Sequence, residues 1–235
     1  MSSQLRNDDA VRVTYVVGSF PEPSETFIYD EFRSVEFMGV KASLLYLSRS
    51  NAPIVHESAR VIEASGRSRL IGWTSRFNCI KLLLRRAITH PVRTVSALKK
   101  CIRTPLRSIY MQALGAAHWC ETGGTQFLHA HFASQNFLYA RAISDWTGIP
   151  FGVTTHRYDL YDEPISRSMA NDAYREASLI VTISEYNRQY MNDRLGLPRE
   201  RIEIIHCGID LGRFQFRESQ VGWQGRPLRL LNVGR

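Results

Sequence analysis

Segments typical of β-strands alternate with segments typical of α-helices along most of this chain. This alternation constrains the fold strongly, because consecutive parallel strands need a crossover connection, which is usually a helix. It predicts an α/β fold with a Rossmann-like, doubly wound parallel sheet covered by helices on both faces. The predicted strands are 11–17, 40–47, 126–131, 149–155, 179–183 and 202–206. The predicted helices are 24–38, 134–146, 164–176 and 184–195, with up to three more between 64 and 120.

Small, polar and titratable residues follow the predicted strands. They are found at 18–20, 131–132, 155–156, 184–185 and 207–208. Ligands bind beyond the carboxyl ends of the strands in open parallel sheets, so these are the positions where a site is expected. Ordinary loops also favour glycine, serine and asparagine. The two histidines at these strand ends, His131 and His156, favour a functional site.

Proline and serine residues mark several predicted helix starts. Pro91 and Pro105 each suit a first helical position, where the missing N–H is not needed. Ser184 suits an N-cap for the helix that follows it, because its side chain can accept a hydrogen bond from the first turn.

The chain begins and ends on the same pattern. Near the start, the apolar segment 11–17 runs into 18–21, and at the end 228–233 runs into Gly234 and Arg235. The polar, glycine-bearing stretch before the last segment is typical of a linker. We therefore expect a first domain over 1–211, a linker over 212–227, and in 228–235 the first strand of a second domain that is absent. An active site between two such domains would be only half present.

The positive charge of the chain is concentrated in one region. The net charge is +8, yet 64–120 has no acidic residue and carries eleven lysines and arginines, so the rest of the chain sums to −3. Within this region Trp73, Phe77, Ile80, Leu84 and Ile88 form an apolar stripe at helical spacing, which we call the 73–88 stripe. This pattern indicates either a helix packed on the sheet with solvated charges or a surface for anionic lipid. Nucleic acid is the rival partner, but no recognition motif accompanies the charge, so we predict no nucleic-acid binding.

The cysteines and the apolar residues exclude several protein classes. Cys79, Cys101, Cys120 and Cys207 lack metal-site spacing and predict free thiols in a reducing cytoplasm. The start of the chain has no apolar region typical of a signal peptide. No apolar run is long enough for a transmembrane helix, which needs roughly 18 or more residues.

Six segments form a recognisable set when they are read in order. They are 20–28, 128–133, 148–150 running on to 155–159, 177–184, 206–210 with Phe214, and 232–235. The Ser-Glu-Thr-Phe-Ile sequence at 24–28 is the most specific of them. Together they resemble the first domain of a retaining glycosyltransferase of the two-domain GT-B type, in family GT4. Within that family, the chain is most similar to enzymes of the bacterial colanic-acid and exopolysaccharide type.

This resemblance implies an enzyme that moves a sugar from a nucleotide diphosphate sugar to a lipid-linked or polysaccharide acceptor. Exopolysaccharide or lipopolysaccharide biosynthesis is the implied setting, on the inner face of the membrane, with the enzyme cytoplasmic and peripheral. It implies no cofactor besides the nucleotide sugar and no metal, since helix N-termini and basic side chains hold the diphosphate. Front-side attack is the implied mechanism, and the leaving phosphate helps to take the proton of the acceptor.

The resemblance also implies roles for individual residues. The catalytic candidates are His156 and Asp159. The donor diphosphate candidates are Gly18, Ser19 and Arg235. The acceptor candidates are Ser24, Glu25, Thr26, His131 and Ser184.

Several of these residues also suit purely structural roles. Gly18 could belong to an ordinary strand-to-helix turn, and Ser24 and Glu25 could cap the following helix. His156 and Asp159 could form a pair that orders a loop.

Two histidines and the chain as a whole also leave alternatives open. His129 and His131 alternate along one strand and share a face. His131 is nearer the carboxyl end and is the better site candidate, whereas packing explains His129. For the whole chain, the alternative to an enzyme is a truncated, non-catalytic module that binds an acceptor or a membrane.

Overall fold

A computed structural model of this protein describes residues 10–162, 165–208, 212 and 231. The described residues form one seven-stranded sheet in the order β3-β2-β1-β4-β5-β6-β7, with neighbouring strands parallel throughout. The strands are β1 (Arg12–Phe20), β2 (Lys41–Arg49), β3 (Ser68–Leu70), β4 (Phe127–His131), β5 (Phe151–Thr155), β6 (Leu179–Thr182) and β7 (Ile202–Ile204). The helices are α1 (Thr26–Phe37), α2 (Glu57–Ala64), α3 (Arg76–Thr89), α4 (Pro91–Arg103), α5 (Arg107–Thr122), α6 (Gln135–Thr147), α7 (Arg157–Tyr161), α8 (Arg167–Glu176) and α9 (Glu185–Leu195).

The strand order creates a topological switch point between β1 and β4. From β1 the chain moves outward to β2 and β3, then returns through α3, α4 and α5 to place β4 on the other side of β1. From β4 it moves outward again to β7. In open α/β sheets the crevice at such a switch point, beyond the carboxyl ends of the strands, is where ligands bind.

The two faces of the sheet contribute to separate apolar cores. Tyr15 and Val17 of β1 point to one face, where they pack with Phe32 of α1. Val16 points to the other face, which α5 and α6 cover with large buried side chains such as Trp146. Burial on both faces explains why the central strands consist of nearly continuous apolar runs.

The predicted α/β class with a doubly wound parallel sheet is confirmed. Pro91 begins α4 and Ser184 caps α9, as predicted. The prediction for Pro105 was wrong, since α5 begins at Arg107 after the N-cap Leu106. The helix predicted over 164–176 is described from Arg167 onward, and Pro164 lies outside the described residues.

The largest correction at the sheet concerns the end of β1. We expected a turn at Gly18, but the strand continues to Phe20, so Gly18 and Ser19 lie within it. Pairing with β2 overrides the local turn signal: Ser19 lies opposite Ser48, and their hydroxyl oxygens are 2.8 Å apart. Sequence reasoning also missed α2 and β3, which have only eight and three residues.

The 73–88 stripe faces outward. Phe77 is 77% exposed and Ile88 is 81% exposed, and the other three members of the stripe are also exposed. The interpretation in which this stripe packs on the sheet was therefore wrong. The opposite face of α3, with Cys79 and Arg86, is the one buried against α4 and α5.

Arg86 is a buried cation within the basic region. Its guanidinium lies 2.7 Å from the Glu121 carboxylate, donates to the Trp146 carbonyl and lies 5.9 Å from the Trp146 ring centroid. Only 4% of its side chain is exposed. One of the eleven positive charges is therefore part of the core, where it joins α3, α5 and α6.

We expect Arg86→Met to lower the free energy of unfolding by about 1–3 kcal/mol, because it removes the buried donor to the Trp146 carbonyl and the partner of the Glu121 carboxylate. Urea unfolding followed by circular dichroism measures this change. The matched control is Arg85→Met on the exposed side of the same helix, which should shift stability by less than about 0.5 kcal/mol. Equal losses in the two variants would contradict the buried-pair account.

The structure bears on three other predictions. All four cysteines are free thiols, as predicted, and Cys207 is the exposed one. No helix among the described residues is long and apolar enough to cross a membrane. The linker, the predicted last strand and Arg235 fall outside the described residues, apart from the single positions Gly212 and Leu231.

Candidate active site at the sheet switch point

Aromatic and imidazole rings converge at the carboxyl ends of β1, β4 and β5. His131 ends β4, and His156 directly follows β5. Their ring centroids are 5.9 Å apart and nearly parallel, with an interplanar angle of 28°. Phe27, from the first turn of α1, approaches both, with its ring centroid 6.0 Å from His131 and 4.8 Å from His156. The fold thus gathers residues from three separate sequence segments at the switch point.

His131 is fully buried. The Tyr15 ring stacks on it at 5.7 Å with an interplanar angle of 13°. Neither of its ring nitrogens makes a hydrogen bond with a described residue. Its nearest charged partner is Glu31 of α1, with 3.5 Å between Nε2 and Oε1, at the outer limit of a hydrogen bond.

His156 has a buried ring with one unused nitrogen. The ring packs against Phe27 and against Phe132, whose centroid is 4.7 Å away, and Nε2 has no hydrogen-bond partner among the described residues. Burial, together with the nearby charge of His131, lowers the pKa of His156 to about 4. The imidazole is therefore neutral at pH 7, where Nε2 can accept or donate a hydrogen bond depending on its tautomer.

Asp159 holds the backbone at two strand ends. Its Oδ1 accepts a hydrogen bond of 2.8 Å from the backbone N–H of His156, and its Oδ2 accepts one of 2.7 Å from that of Ala133. Burial raises the pKa of Asp159 to about 7, although both hydrogen bonds oppose that shift. Through these bonds the carboxylate ties the residues after β4 to the residues after β5, in line with the loop-ordering interpretation.

The backbone after β4 is strained. Phe132 has a φ of 69°, the one positive φ at a non-glycine position among the described residues. For a bulky L-residue this conformation is an outlier that costs of order 1–3 kcal/mol and is often found at functional sites. Asn136 stabilises the preceding residue, because its side-chain amide donates a hydrogen bond of 2.7 Å to the carbonyl of His131.

The loop before α1 is held by its own polar groups. The Ser24 hydroxyl donates to the Glu22 carboxylate at 3.0 Å, and the Tyr29 hydroxyl accepts from the Glu22 backbone N–H at 2.6 Å. Glu25 is the N-cap of α1 by position, but no side chain caps this helix. The capping interpretation of Ser24 and Glu25 was therefore wrong, and Glu25 Oε2 is buried without a hydrogen-bond partner among the described residues.

We expect Glu25 to make the folded protein less stable as the pH rises from about 4.5 to about 7. Burial, and secondly the charge of Glu22, raise the pKa of Glu25 to about 7 from an ordinary 4.5, so in this window the folded state holds a proton that the unfolded state has lost. Glu25→Gln removes this titratable group. The free energy of unfolding of the variant, relative to that of the original chain, should therefore increase as the pH rises from about 4.5 to about 7. Thermal unfolding at a series of pH values measures this difference, and Asp30→Asn on α1 is the control. An unchanged difference between pH 4.5 and pH 7 would contradict the raised pKa.

The remaining candidates lie in a strand or at the start of a helix. Ser184 caps α9, since its hydroxyl accepts from the Asn187 N–H at 3.2 Å, and Thr26 is the first residue of α1. Gly18 has space around it, because an added Cβ would lie 3.5 Å from Asn136 Oδ1, an ordinary contact. Nothing described therefore requires glycine at position 18.

Sequence reasoning missed Glu31 as a member of the cluster. Phe27 and Glu31 are four residues apart in α1, so they lie on the same face of the helix. That spacing is a signal that was available once Phe27 was placed against the histidines. Tyr15 was missed for another reason: it is a strand residue whose hydroxyl finds Glu31 only through the packing of α1 on β1.

Glu31, His129 and His131 are the described residues with the arrangement closest to a metal site. Their ligand atoms lie within 4.8 Å of one another. Tetrahedral zinc, with bonds of about 2.0–2.1 Å, places its ligands about 3.3 Å apart. His129 Nε2 also lies 2.8 Å from the Thr154 hydroxyl, so this nitrogen already has a partner. The three residues therefore fit a hydrogen-bonded cluster better than a metal centre.

Two surface clefts in the described part of the chain lie away from this cluster. One, of about 610 Å³, lies at the amino ends of β1 and β2 and is lined by Arg12 and Glu36. The other lies between α3 and α5. Neither is at the carboxyl edge of the sheet, where the parallel arrangement places ligands, so we assign the candidate site to the strand ends.

The chain belongs to Glycosyltransferase Family 4, whose family model matches residues 24–213. The matched region contains β2 to β7, both histidines and Glu31. No curated protein sequence matches the chain.

One solved structure shows the same fold at low identity, and a second is reported beside it. Anabaena Alr3699/HepE, solved in complex with UDP and glucose, aligns over 89% of this chain and 47% of its own length, with a TM-score of 0.54 and 12% identity. UDP-N-acetylglucosamine 2-epimerase from Rickettsia bellii aligns over 83% of this chain and 44% of its own, with a TM-score of 0.49 and 13% identity. The chain therefore spans about half the length of these structures, and the likeness concerns the fold alone.

Proposed function

We propose that this chain is the acceptor-side half of a retaining glycosyltransferase that uses a nucleotide diphosphate sugar. Family membership over 24–213 is the observation that carries the proposal, because it covers both the histidine cluster and the loop before α1. The structural neighbour with bound UDP and glucose supports the nucleotide sugar as donor. The alternative, a non-catalytic module, receives no support from the family match.

In the proposed reaction the bond between C1 of the sugar and the donor phosphate oxygen breaks, and a bond from the acceptor oxygen to C1 forms on the same face. The acceptor proton passes to the leaving phosphate, so no metal or protein base is needed. His156 offers Nε2 to a hydroxyl of the transferred sugar once Phe27 or Phe132 turns aside, and Asp159 holds the backbone that carries this imidazole. The N-terminus of α1 and the loop at 22–26 lie beside the site, where unpaired N–H groups favour a phosphate.

The other residues of the site take supporting roles in this proposal. Glu25 contacts the acceptor, since its buried Oε2 has no partner among the described residues. We propose that Ser24, Thr26 and Ser184, with His131 behind them, serve the acceptor, and that Gly18, Ser19 and Arg235 serve the donor diphosphate. Arg235 lies outside the described residues.

The experiment that tests this function is sugar transfer by the complete protein with a panel of nucleotide sugars and lipid-linked or polysaccharide acceptors. We expect turnover with at least one donor, unchanged in the presence of EDTA, and a product with the anomeric configuration of the donor. A folded, complete protein that transfers no sugar from any donor argues against the proposal, and inversion argues against the retaining mechanism.

We further propose that the acceptor is presented at an anionic membrane on the cytoplasmic side, as in exopolysaccharide biosynthesis. The 73–88 stripe is exposed, and the exposed Arg76, Lys81 and Arg85 lie on the same helix. On α4, Val92 and Ile102 are also exposed. Apolar side chains flanked by cations suit the boundary between anionic headgroups and acyl chains.

A further inference from the structure

The carboxylate of Glu31 lies beside the buried ring of His131. The ring nitrogens of His131 have no hydrogen-bond partner among the described residues. The Tyr15 hydroxyl donates a hydrogen bond of 3.1 Å to Oε1 of Glu31, and Nε2 of His131 lies 3.5 Å from the same oxygen. His131 is fully buried, and Glu31 is the one acidic residue in the described part of the chain whose carboxylate lies within 4.0 Å of its ring nitrogens. Stacking holds the plane of the ring, and this carboxylate is the polar group beside Nε2.

Glu31 is ionised throughout the physiological range. Burial alone would raise its pKa, but the adjacent imidazole of His131, followed by His129 and the hydrogen bond from the Tyr15 hydroxyl, lowers it to about 2. The side chain is 40% exposed. A permanent anion thus sits at the edge of the histidine cluster.

The ring of His131 also contacts the ring of His156. The His131 ring stacks on Tyr15, and the His156 ring stacks on His131 with 5.9 Å between the two centroids. Because the interior is close-packed, rotation of the His131 ring would change one of the three ring contacts that hold His156, the other two being with Phe27 and Phe132. A carboxylate that orients one imidazole can in this way fix the direction in which a second one presents its nitrogen.

We propose that Glu31 is a positioning residue that fixes the ring of His131 and, through it, the direction of Nε2 of His156. This inference rests on the proposed function and deepens it, since His156 faces the transferred sugar there. Glu31 acts through His131 and does not itself need to touch the donor.

The test compares Glu31→Gln with the original sequence in the complete protein. The amide keeps the size of the side chain but removes the negative charge beside Nε2 of His131. We expect kcat to fall about 10–100-fold, as for other orienting carboxylates, with KM for the donor changed less than about threefold. The matched control is Glu36→Gln, which removes a carboxylate from the same helix whose partner is Arg67, and should leave kcat unchanged.

A double-variant experiment separates positioning from a structural role. In a His156→Ala background, Glu31→Gln should lower kcat no further, because the group that it positions is already gone. If it still lowers kcat tenfold, or if Glu36→Gln has an equal effect, the proposal is overturned. Tyr15→Phe removes only the hydrogen bond from the Tyr15 hydroxyl to the Glu31 carboxylate, and it should lower kcat by a smaller factor. This variant replaces Glu31→Gln in the test if Glu31→Gln does not fold.

NMR of the imidazole nitrogens tests the positioning role separately from the proposed function, because the measurement needs no turnover. Glu31→Gln should shift the ring nitrogen resonances of both His131 and His156, and Glu36→Gln should shift neither. If the resonances shift but no donor is turned over, the positioning holds and the proposed function fails. Unchanged His156 resonances in Glu31→Gln would overturn the positioning. It would also be overturned if the original protein bound one equivalent of zinc and Glu31→Gln bound none, because the cluster would then be a metal site.

Discussion

We expect His156→Ala to lower kcat of the complete protein about 10²–10⁴-fold, the usual contribution of a positioned imidazole. The reason is geometric: Nε2 of His156 is buried without a partner among the described residues, and it sits at the switch point of the sheet. Its neutral state at pH 7 follows from burial and from the charge of His131, which lower its pKa to about 4. A steady-state assay with the donor identified by the panel measures the loss.

The control for this prediction is His90→Ala, at the exposed junction of α3 and α4, which should leave kcat unchanged. Circular dichroism and thermal unfolding must show that His156→Ala is folded, because the ring also fills space against Phe27 and Phe132. His156→Gln is the second variant if the alanine variant is unstable. If either variant folds and keeps more than half of the original kcat, His156 has no part in the mechanism.

We expect the triple variant Arg76→Gln, Lys81→Gln and Arg85→Gln to bind vesicles containing anionic lipid roughly 100-fold more weakly. Each basic residue near an anionic surface contributes about 1 kcal/mol, and three of them correspond to about two powers of ten in Kd. The positions are exposed on the helix that carries most of the 73–88 stripe. Co-sedimentation with vesicles of phosphatidylglycerol and phosphatidylcholine measures the change, and raised salt should weaken binding of the original chain.

The matched control replaces three exposed arginines elsewhere, at positions 60, 175 and 194, and changes the net charge by the same amount. Vesicle binding should then fall far less, because these positions lie outside the exposed apolar surface. Equal losses in the two triple variants would show that only net charge matters and that α3 is not the contact surface. Retention of binding in both would contradict membrane association through this region.

Apolar periodicity predicted most of the sheet because strand propensity and burial act over a few residues. The segment 149–155 became β5, and 179–183 became β6, with only their ends changed. The end of β1 was predicted wrongly, since its last residues pair with β2, a partner that a local pattern does not contain. The helix α2 was missed because it has only eight residues, which is short for a local periodic pattern to be recognised.

For the candidate site, the sequence placed His131 and His156 at strand ends, and strand ends meet at one edge of a parallel sheet. What it did not reveal was the state of each residue. Asp159 turned out to hold backbone N–H groups, and Glu25 turned out to have an oxygen without a partner among the described residues. Hydrogen-bond partners and burial depend on distances between segments, and these distances exist only in the folded chain.

The sequence by itself determined the parallel α/β architecture, the two histidines at its carboxyl edge and the concentration of positive charge between 64 and 120, because each follows from residue type and local period. Only the tertiary structure decided that Glu31 reaches His131 and that α3 turns its apolar stripe to solvent. The helical period shows that α3 has two faces, but which face is buried depends on where α4 and α5 make contact. That choice is made by packing between distant segments, which a local pattern cannot specify.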